Sequence, residues 1–188
     1  MVLGRTWVRP RSVPLVDAAL RGLLLVGAVV VGSAGCALFG GSAPPAEPCK
    51  TIPLEVYAKG SADQNPNAEG QALPVELRVF VLSQREAFDQ LDVSELVGDE
   101  LPGDLAKVVV QKASLRVMPG QEQILPLEIA PSAGYLGLVA NFRRVEPGQG
   151  KRLVDLKRAV ERCRAGQLST QIPATLKESR LLAPERVE

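Results

Sequence analysis

The sequence predicts a mainly β protein, a two-sheet β-sandwich with a small helical insertion after the second strand. Three observations support this prediction. Several segments alternate apolar and polar residues, turn-forming residues (15 Pro and 17 Gly among 188) separate them at short intervals, and one helical pattern interrupts the series. About seven strands are predicted, the number found in many antiparallel sandwiches.

The first 35 residues have the pattern of a secretory signal. A basic segment precedes an uncharged apolar run, residues 22–31, and small residues follow at 32–35. Cys36 comes directly after them, an arrangement that resembles a bacterial lipobox, although Ser33 stands where such motifs usually have Leu or Val. The pattern predicts cleavage after Gly35 and a covalent lipid on Cys36.

The alternative is an uncleaved membrane anchor, because residues 22–41 are uncharged over about the 20 residues that a spanning helix needs. The glycines of that segment disfavour a stable helix. Both interpretations place the remaining chain outside the cytoplasm. Because Ala37 rather than Asp follows Cys36, the similarity to sorted lipoproteins favours the outer membrane, with the protein facing the periplasm.

The region after Cys36 begins with a tether and two strands. Residues 36–48 are rich in small residues and proline and predict a flexible tether before a folded domain over residues 49–188. Residues 51–58 and 75–82 alternate in hydrophobicity and predict the first two strands. Between them, residues 59–73 have the composition of a long exposed loop.

The helical insertion is predicted over about residues 84–106. Ser83 and Glu86 have the spacing of a capping box, and apolar residues form a short helical stripe across 84–97. A second helical piece is predicted over 99–106, although Pro102 and Gly103 weaken it.

Five further apolar segments complete the predicted sandwich. The fourth of the seven strands is preceded by a turn at residues 118–121. Residues 135–142 are almost wholly apolar, which is typical of a central strand buried on both faces. The segments are residues 108–117 (with a break near 111–112), 122–129, 135–142, 151–160 and 168–176.

The composition argues against several classes of protein. The chain has no His, which excludes Ser–His–Asp and Cys–His catalysis and His-containing zinc sites. The 22 basic residues are balanced by 21 acidic ones, so a general nucleic-acid binder is not expected. No phosphate-binding loop or metal-ligand spacing is present in the sequence. We therefore expect a binding or scaffolding protein rather than an enzyme, with no cofactor beyond the lipid on Cys36.

Two cysteines remain if Cys36 is lipidated. An even pair in an oxidising compartment indicates a disulfide between Cys49 and Cys163, and the alternative is two unrelated buried thiols.

The loop sequence NPNAEGQALP (residues 65–74) leads directly into the second predicted strand. Further motifs follow it along the chain: Ala87-Phe88, Leu96, Pro119-Gly120 and residues 135–143. In order and spacing, these motifs together resemble the TssJ family, the outer-membrane lipoproteins of type VI secretion systems. The chain departs from the family at Lys151-Arg152, where Trp-Arg is usual, and at Leu101-Pro102-Gly103-Asp104, where Leu-Gly-Asp is usual.

The resemblance implies a transthyretin-like sandwich that anchors a trans-envelope complex, in several copies, by binding the periplasmic C-terminal domain of the inner-membrane protein TssM. It also implies that the loop between the first two strands makes this contact. We therefore expect a Gly/Ser linker in place of residues 63–70 to weaken binding of the partner while leaving folding intact. Asn65, Pro66 and Gly70 have an alternative role in shaping the turn alone. The candidate contact residues are Asp63, Gln64, Asn65, Pro66, Asn67, Glu69, Gly70 and Gln71.

A second function remains open from the residues alone. A stand-alone lipoprotein sandwich could bind a small ligand or a cell-wall glycan in a cleft lined by aromatic side chains. With aromatic residues at 4% of the chain, such a cleft would be sparsely supplied.

Overall fold

A computed structural model describes residues 49–167 and 169–187, which form a β-sandwich of two four-stranded sheets with four short helices. The predicted sandwich is therefore confirmed. The predicted signal, Cys36 and the tether lie outside the described residues. In chain order the elements are β1 (Ile52–Gly60), β2 (Val75–Leu82), α1 (Glu86–Gln90), α2 (Val93–Leu96), α3 (Gly103–Val108), β3 (Val109–Val117), β4 (Glu122–Ile129), β5 (Tyr135–Asn141), β6 (Lys151–Asp155), α4 (Lys157–Arg164), β7 (Thr170–Lys177) and β8 (Arg180–Leu182).

The two sheets have the strand orders β4-β1-β7-β8 and β3-β2-β5-β6. All neighbours pair antiparallel except β1 and β7, which are parallel. The alternation of each strand sends one set of side chains into a shared core, where Val56 of β1 and Leu77 and Val79 of β2 are fully buried. This core holds the sandwich together.

The two central strands of the second sheet, β2 and β5, are buried on both faces. The outer face of this sheet carries a smaller hydrophobic cluster in which Phe80 and Val139 pack against Phe88, Leu96 and Leu105 of the helical insertion. Residues 136–140 of β5 are all buried, as their apolar run predicts. The insertion thus covers the face of the sheet that would otherwise expose β2 and β5.

A glycine makes this packing of helix on sheet feasible. The Phe88 ring lies so close to Gly137 on β5 that a Cβ there would meet the ring at 2.6 Å. Lys151 fixes the same helix from the other side, where its Nζ donates to the carbonyls of Phe88, Asp89 and Leu91 at 3.0, 3.1 and 2.6 Å. Lys151 is one of the positions at which the sequence departs from the family pattern, and here it satisfies the carbonyls at the end of α1.

The predicted capping by Ser83 is wrong. Helix α1 begins at Glu86 with Arg85 as its N-cap, and the Ser83 hydroxyl donates to the Val108 carbonyl at 3.2 Å. The Ser83 N–H also donates to Val108 at 2.9 Å, so pairing with the chain before β3 holds Ser83 away from the helix. The capping box lies instead at Asp92 and Glu95, at the start of α2.

The strand predicted over residues 151–160 is wrong in its second half. Strand β6 ends at Asp155 and α4 follows, because Leu156, Ala159, Val160 and Cys163 recur at helical spacing and pack against the sandwich core. The sequence contains this helical spacing, but over only about two turns. Strand β8 was not predicted at all, and β3 runs without the predicted break.

All residues of both hydrophobic clusters lie between Ile52 and Val187. The eight strands also pair only with one another within the described part of the chain. The described residues therefore contain a core of their own, and we expect the compact unit that begins at Ser42 to fold without the preceding segment. Of the four helices described, none has the length and hydrophobicity needed to cross a bilayer.

Candidate functional site

Four connections lie at one end of the sandwich, among them the β3–β4 turn at residues 118–121. The other three form what we call the loop end: residues 61–74 between β1 and β2, residues 142–150 between β5 and β6, and residues 178–179 between β7 and β8. The strand directions place them together, since β1 and β7 are parallel and β5 is antiparallel to β2. The predicted contact loop is the first of the three.

Gln64 anchors the base of the loop. Its side chain is fully buried, and its Nε2 donates to the carbonyls of Leu73 at 3.1 Å and Val117 at 2.9 Å. The loop can approach the end of β1 this closely because residue 60 is glycine. A Cβ on Gly60 would collide with Gln64 Oε1 and with the carbonyl of Met118.

Asn65 connects all three loops of the loop end. It is 4% exposed and adopts the left-handed conformation, with a φ of 48°. Its Nδ2 donates to Pro74 at 3.1 Å, its Oδ1 accepts from the Arg143 N–H at 2.8 Å, and its own N–H donates to Glu178 at 2.5 Å. Asparagine suits this position because it tolerates positive φ and offers both a donor and an acceptor.

The tip of the loop is exposed yet internally bonded. Asn67 Oδ1 accepts from the backbone N–H groups of Glu69 at 3.0 Å and Gln71 at 2.8 Å, and Asn67 Nδ2 donates to Gln71 Oε1. Gly70 has a φ of 79°, which closes the turn. The tip is therefore ordered by its own sequence before any partner binds.

These positions divide the eight predicted residues into two groups. Gln64 and Asn65 face the interior, so their side chains position the loop rather than meet a partner directly. Contact with a partner stays a prediction for the residues whose side chains reach solvent. The exposed members are Asp63, Pro66, Glu69, Gly70 and Gln71, with Asn67 half-buried.

Two carboxylates near the loop have pKa values below their ordinary range. The nearby Ser61 hydroxyl, with a smaller contribution from Lys177, lowers the pKa of Asp63. At the end of β1, the Lys59 ammonium, 2.8 Å from Glu122, and the Tyr57 hydroxyl, which donates to the same carboxylate, lower the pKa of Glu122. Both groups are therefore ionised at neutral pH.

Sequence reasoning missed three arginines that lie beside the predicted contact loop. Arg143 and Arg144 follow β5, Arg180 begins β8, and all three are exposed at the loop end. They line a cleft with Pro66 of the predicted contact loop. The adjacent pair Arg143-Arg144, directly after a buried strand, was the available signal.

The opposite end of the sandwich, which we call the disulfide end, contains Cys49 and Cys163. The structure joins them across 114 positions of sequence, with their α-carbons 6.1 Å apart. This bond ties the residues before β1 to α4. Within residues 49–167 and 169–187, no group of three or more acidic or cysteine side chains is placed to bind a metal ion.

One protein family has a model that matches most of the described chain. The family described as "Type VI secretion lipoprotein, VasD, EvfM, TssJ, VC_A0113" has a model that matches residues 52–177. A search of curated protein sequences found no match.

Solved structures share the fold at low identity. The type VI secretion lipoprotein TssJ1 from Pseudomonas aeruginosa is 23% identical, with a TM-score of 0.59, over 71% of this chain and 97% of that one. Serratia marcescens Lip, described as a membrane-bound component of the type VI secretion system, is 19% identical, with a TM-score of 0.59, over 70% of this chain and 97% of that one.

A third similar chain belongs to a structure described as the "T6SS protein TssM C-terminal domain (869-1107) from EAEC". It is 15% identical, with a TM-score of 0.56, over 71% of this chain and 98% of that one. These structures show the fold, whereas the family model spans more than half of the sequence and includes two of the three connections of the loop end, residues 61–74 and 142–150. The chain therefore belongs to the type VI secretion lipoprotein family that includes TssJ.

Proposed function

We propose that this protein is an outer-membrane lipoprotein that anchors a type VI secretion complex by binding the periplasmic C-terminal domain of TssM. The observation that carries the proposal is the family match over residues 52–177, which includes the whole loop of residues 61–74. The naming of the TssM C-terminal domain in the description of one similar structure supports this choice of partner.

The order of the loop supports a role in binding. Gln64 and Asn65 fix its base, and Asn67 with Gly70 fixes its tip. A surface that is already ordered loses little conformational entropy on association, so more of the contact energy is retained as affinity. The exposed side chains of Asp63, Glu69 and Gln71 then offer hydrogen bonds to a partner.

The position of the loop also fits an anchored protein. Cys49 precedes β1 and the loop follows it, so the nine residues of β1 separate the two by roughly 30 Å. A lipid on Cys36 would be joined to the domain at the disulfide end, through the tether of residues 37–48. The loop end would then face the periplasm, and several copies in one complex would strengthen a moderate affinity.

Calorimetric titration of residues 42–188 with the periplasmic domain of the cognate TssM tests the partner. We expect saturable one-to-one binding. No heat of binding, with both proteins shown to be folded by circular dichroism, would contradict the proposal. A separate labelling experiment tests the lipid: Cys36→Ser in the full chain should abolish palmitate incorporation and membrane retention.

A further inference from the structure

We propose that the loop end binds a carboxylate-rich segment of its protein partner through Arg143, Arg144 and Arg180. This inference rests on the proposed function and assigns the chemistry of the contact. It extends the binding surface from the first loop to the two loops beside it.

The three loops form one continuous surface. Pro66, Phe142 and the three arginines line a cleft of about 780 Å³ that opens to solvent at the loop end. Asn65 joins the first loop to the other two, because its Oδ1 accepts from the Arg143 N–H and its own N–H donates to the Glu178 carbonyl. The Leu181 N–H of β8 donates to the Gln149 carbonyl at 2.8 Å. A segment that contacts Pro66 is therefore also beside the arginines.

The charges around the cleft favour an anionic ligand. Arg143, Arg144 and Arg180 are exposed, and none forms an ion pair with a carboxylate among the described residues. Two carboxylates share the lining, Glu146 and Glu178, and Glu146 already accepts a hydrogen bond from Gln149 Nε2 at 2.8 Å. Because the Gln149 amide is neutral, both carboxylates keep their charge, and the lining carries three positive groups against two negative ones.

Arginine suits the recognition of carboxylates in particular. Its planar guanidinium presents paired N–H groups that match the two oxygens of a carboxylate. The backbone that carries Arg143 is held by its own hydrogen bond to Asn65, so the base of this side chain is fixed at the rim of the cleft. The buried Asn65 is in this sense a positioning residue for the arginine surface.

A protein segment fits this surface better than the phosphates of a membrane. The length of β1 separates the loop end from Cys49, the first residue of the domain after the predicted tether. The bilayer would therefore lie toward the disulfide end, and the arginines would point toward the proteins of the periplasm.

The test is a triple charge reversal, Arg143→Glu, Arg144→Glu and Arg180→Glu, in residues 42–188. The matched control reverses three exposed basic residues of α4, Lys157, Arg158 and Arg164, at the disulfide end. Both variants change the net charge equally, and thermal unfolding verifies that each is folded. Affinity for the TssM periplasmic domain is measured by calorimetry at low and high salt.

We expect the loop-end variant to bind at least tenfold more weakly than the wild type, while the control changes less than twofold. Salt should weaken wild-type binding more than it weakens the residual binding of the loop-end variant, because screening acts on the charge pairs that the variant lacks. If the loop-end variant misfolds, the triple alanine variant at the same positions replaces it, with a smaller loss of the same sign.

The outcomes separate the two proposals. If the wild type does not bind TssM, the proposed function fails. If the wild type binds and both variants bind equally well, the arginine surface is refuted while the proposed function stands. The same conclusion follows if the loop-end variant loses binding to vesicles of anionic phospholipid but retains its affinity for TssM.

Discussion

The two ends of the sandwich are held by different means. At the disulfide end, one covalent bond joins Cys49 to Cys163 across 114 residues. At the loop end, the described residues contain no disulfide. The hydrogen bonds of two buried amide side chains, those of Gln64 and Asn65, position the three loops there. The end nearest the predicted anchor is therefore fixed by a disulfide, whereas the end proposed to bind a partner is fixed by hydrogen bonds from particular polar side chains.

The disulfide should have the largest effect on stability. Replacing both Cys49 and Cys163 by Ser removes a constraint on a loop of 114 residues, which the chain-entropy model values at about 4–5 kcal/mol in the free energy of unfolding. Urea unfolding of the two proteins measures this difference. Binding to TssM, measured on the folded fraction, should be unchanged because the loop end is distant. Non-reducing mass analysis of the wild type checks the bond itself, and two freely alkylated thiols would argue against it.

At the loop end, Asn65→Ala should have the next largest effect. It leaves the Pro74 carbonyl and the Arg143 N–H without their partners and places alanine at positive φ, a loss of about 2–3 kcal/mol. Asn67→Ala is the matched control, since its bonds lie at the exposed tip, and it should cost about 1 kcal/mol or less. Equal losses in urea unfolding would show that Asn65 does not organise the loop end.

The exposed tip should affect binding more than it affects stability. Pro66→Ser, Glu69→Ser and Gln71→Ser together remove one exposed hydrogen bond and one proline, so they should lower the free energy of unfolding by about 1 kcal/mol or less, while weakening TssM binding in calorimetry. This variant replaces the linker exchange over residues 63–70 suggested by the sequence. That exchange would also remove the buried Gln64 and Asn65 and would not leave folding intact. Full affinity in the triple variant would place the contact elsewhere.

The ion pair beside the loop should have the smallest effect. Because Lys59 and Tyr57 lower the pKa of Glu122 below 4.5, the ionised carboxylate stabilises the folded state above that pH, and the contribution is lost as the pH falls through the folded pKa. The stability difference between wild type and Glu122→Gln should therefore shrink as the pH is lowered from neutral through the folded pKa of Glu122. A difference that stays constant over this range, measured by urea unfolding, would show that the pair is screened by solvent.

The sequence predicted most strands because their signal is local. The alternation in β1, β2 and β4 and the apolar run of β5 follow from which faces are buried, and those patterns can be read in eight or nine residues. The predictions that failed for whole elements involved short ones. Helix α4 has eight residues and is separated from β6 by a single residue, and β8 has only three residues. A strand that short is defined by its pairing with β7 rather than by its own composition.

The candidate site shows the same division. The sequence by itself determined the family motif, the turn chemistry of Asn67 and Gly70, and the two cysteines, because each depends on residue type and local spacing. Only the tertiary structure decided that Gln64 and Asn65 are buried and that Arg143 and Arg180 lie beside Pro66. These residues are brought together by the parallel pairing of β1 with β7 and the antiparallel pairing of β2 with β5, and contacts between distant segments leave no periodic signal in the chain.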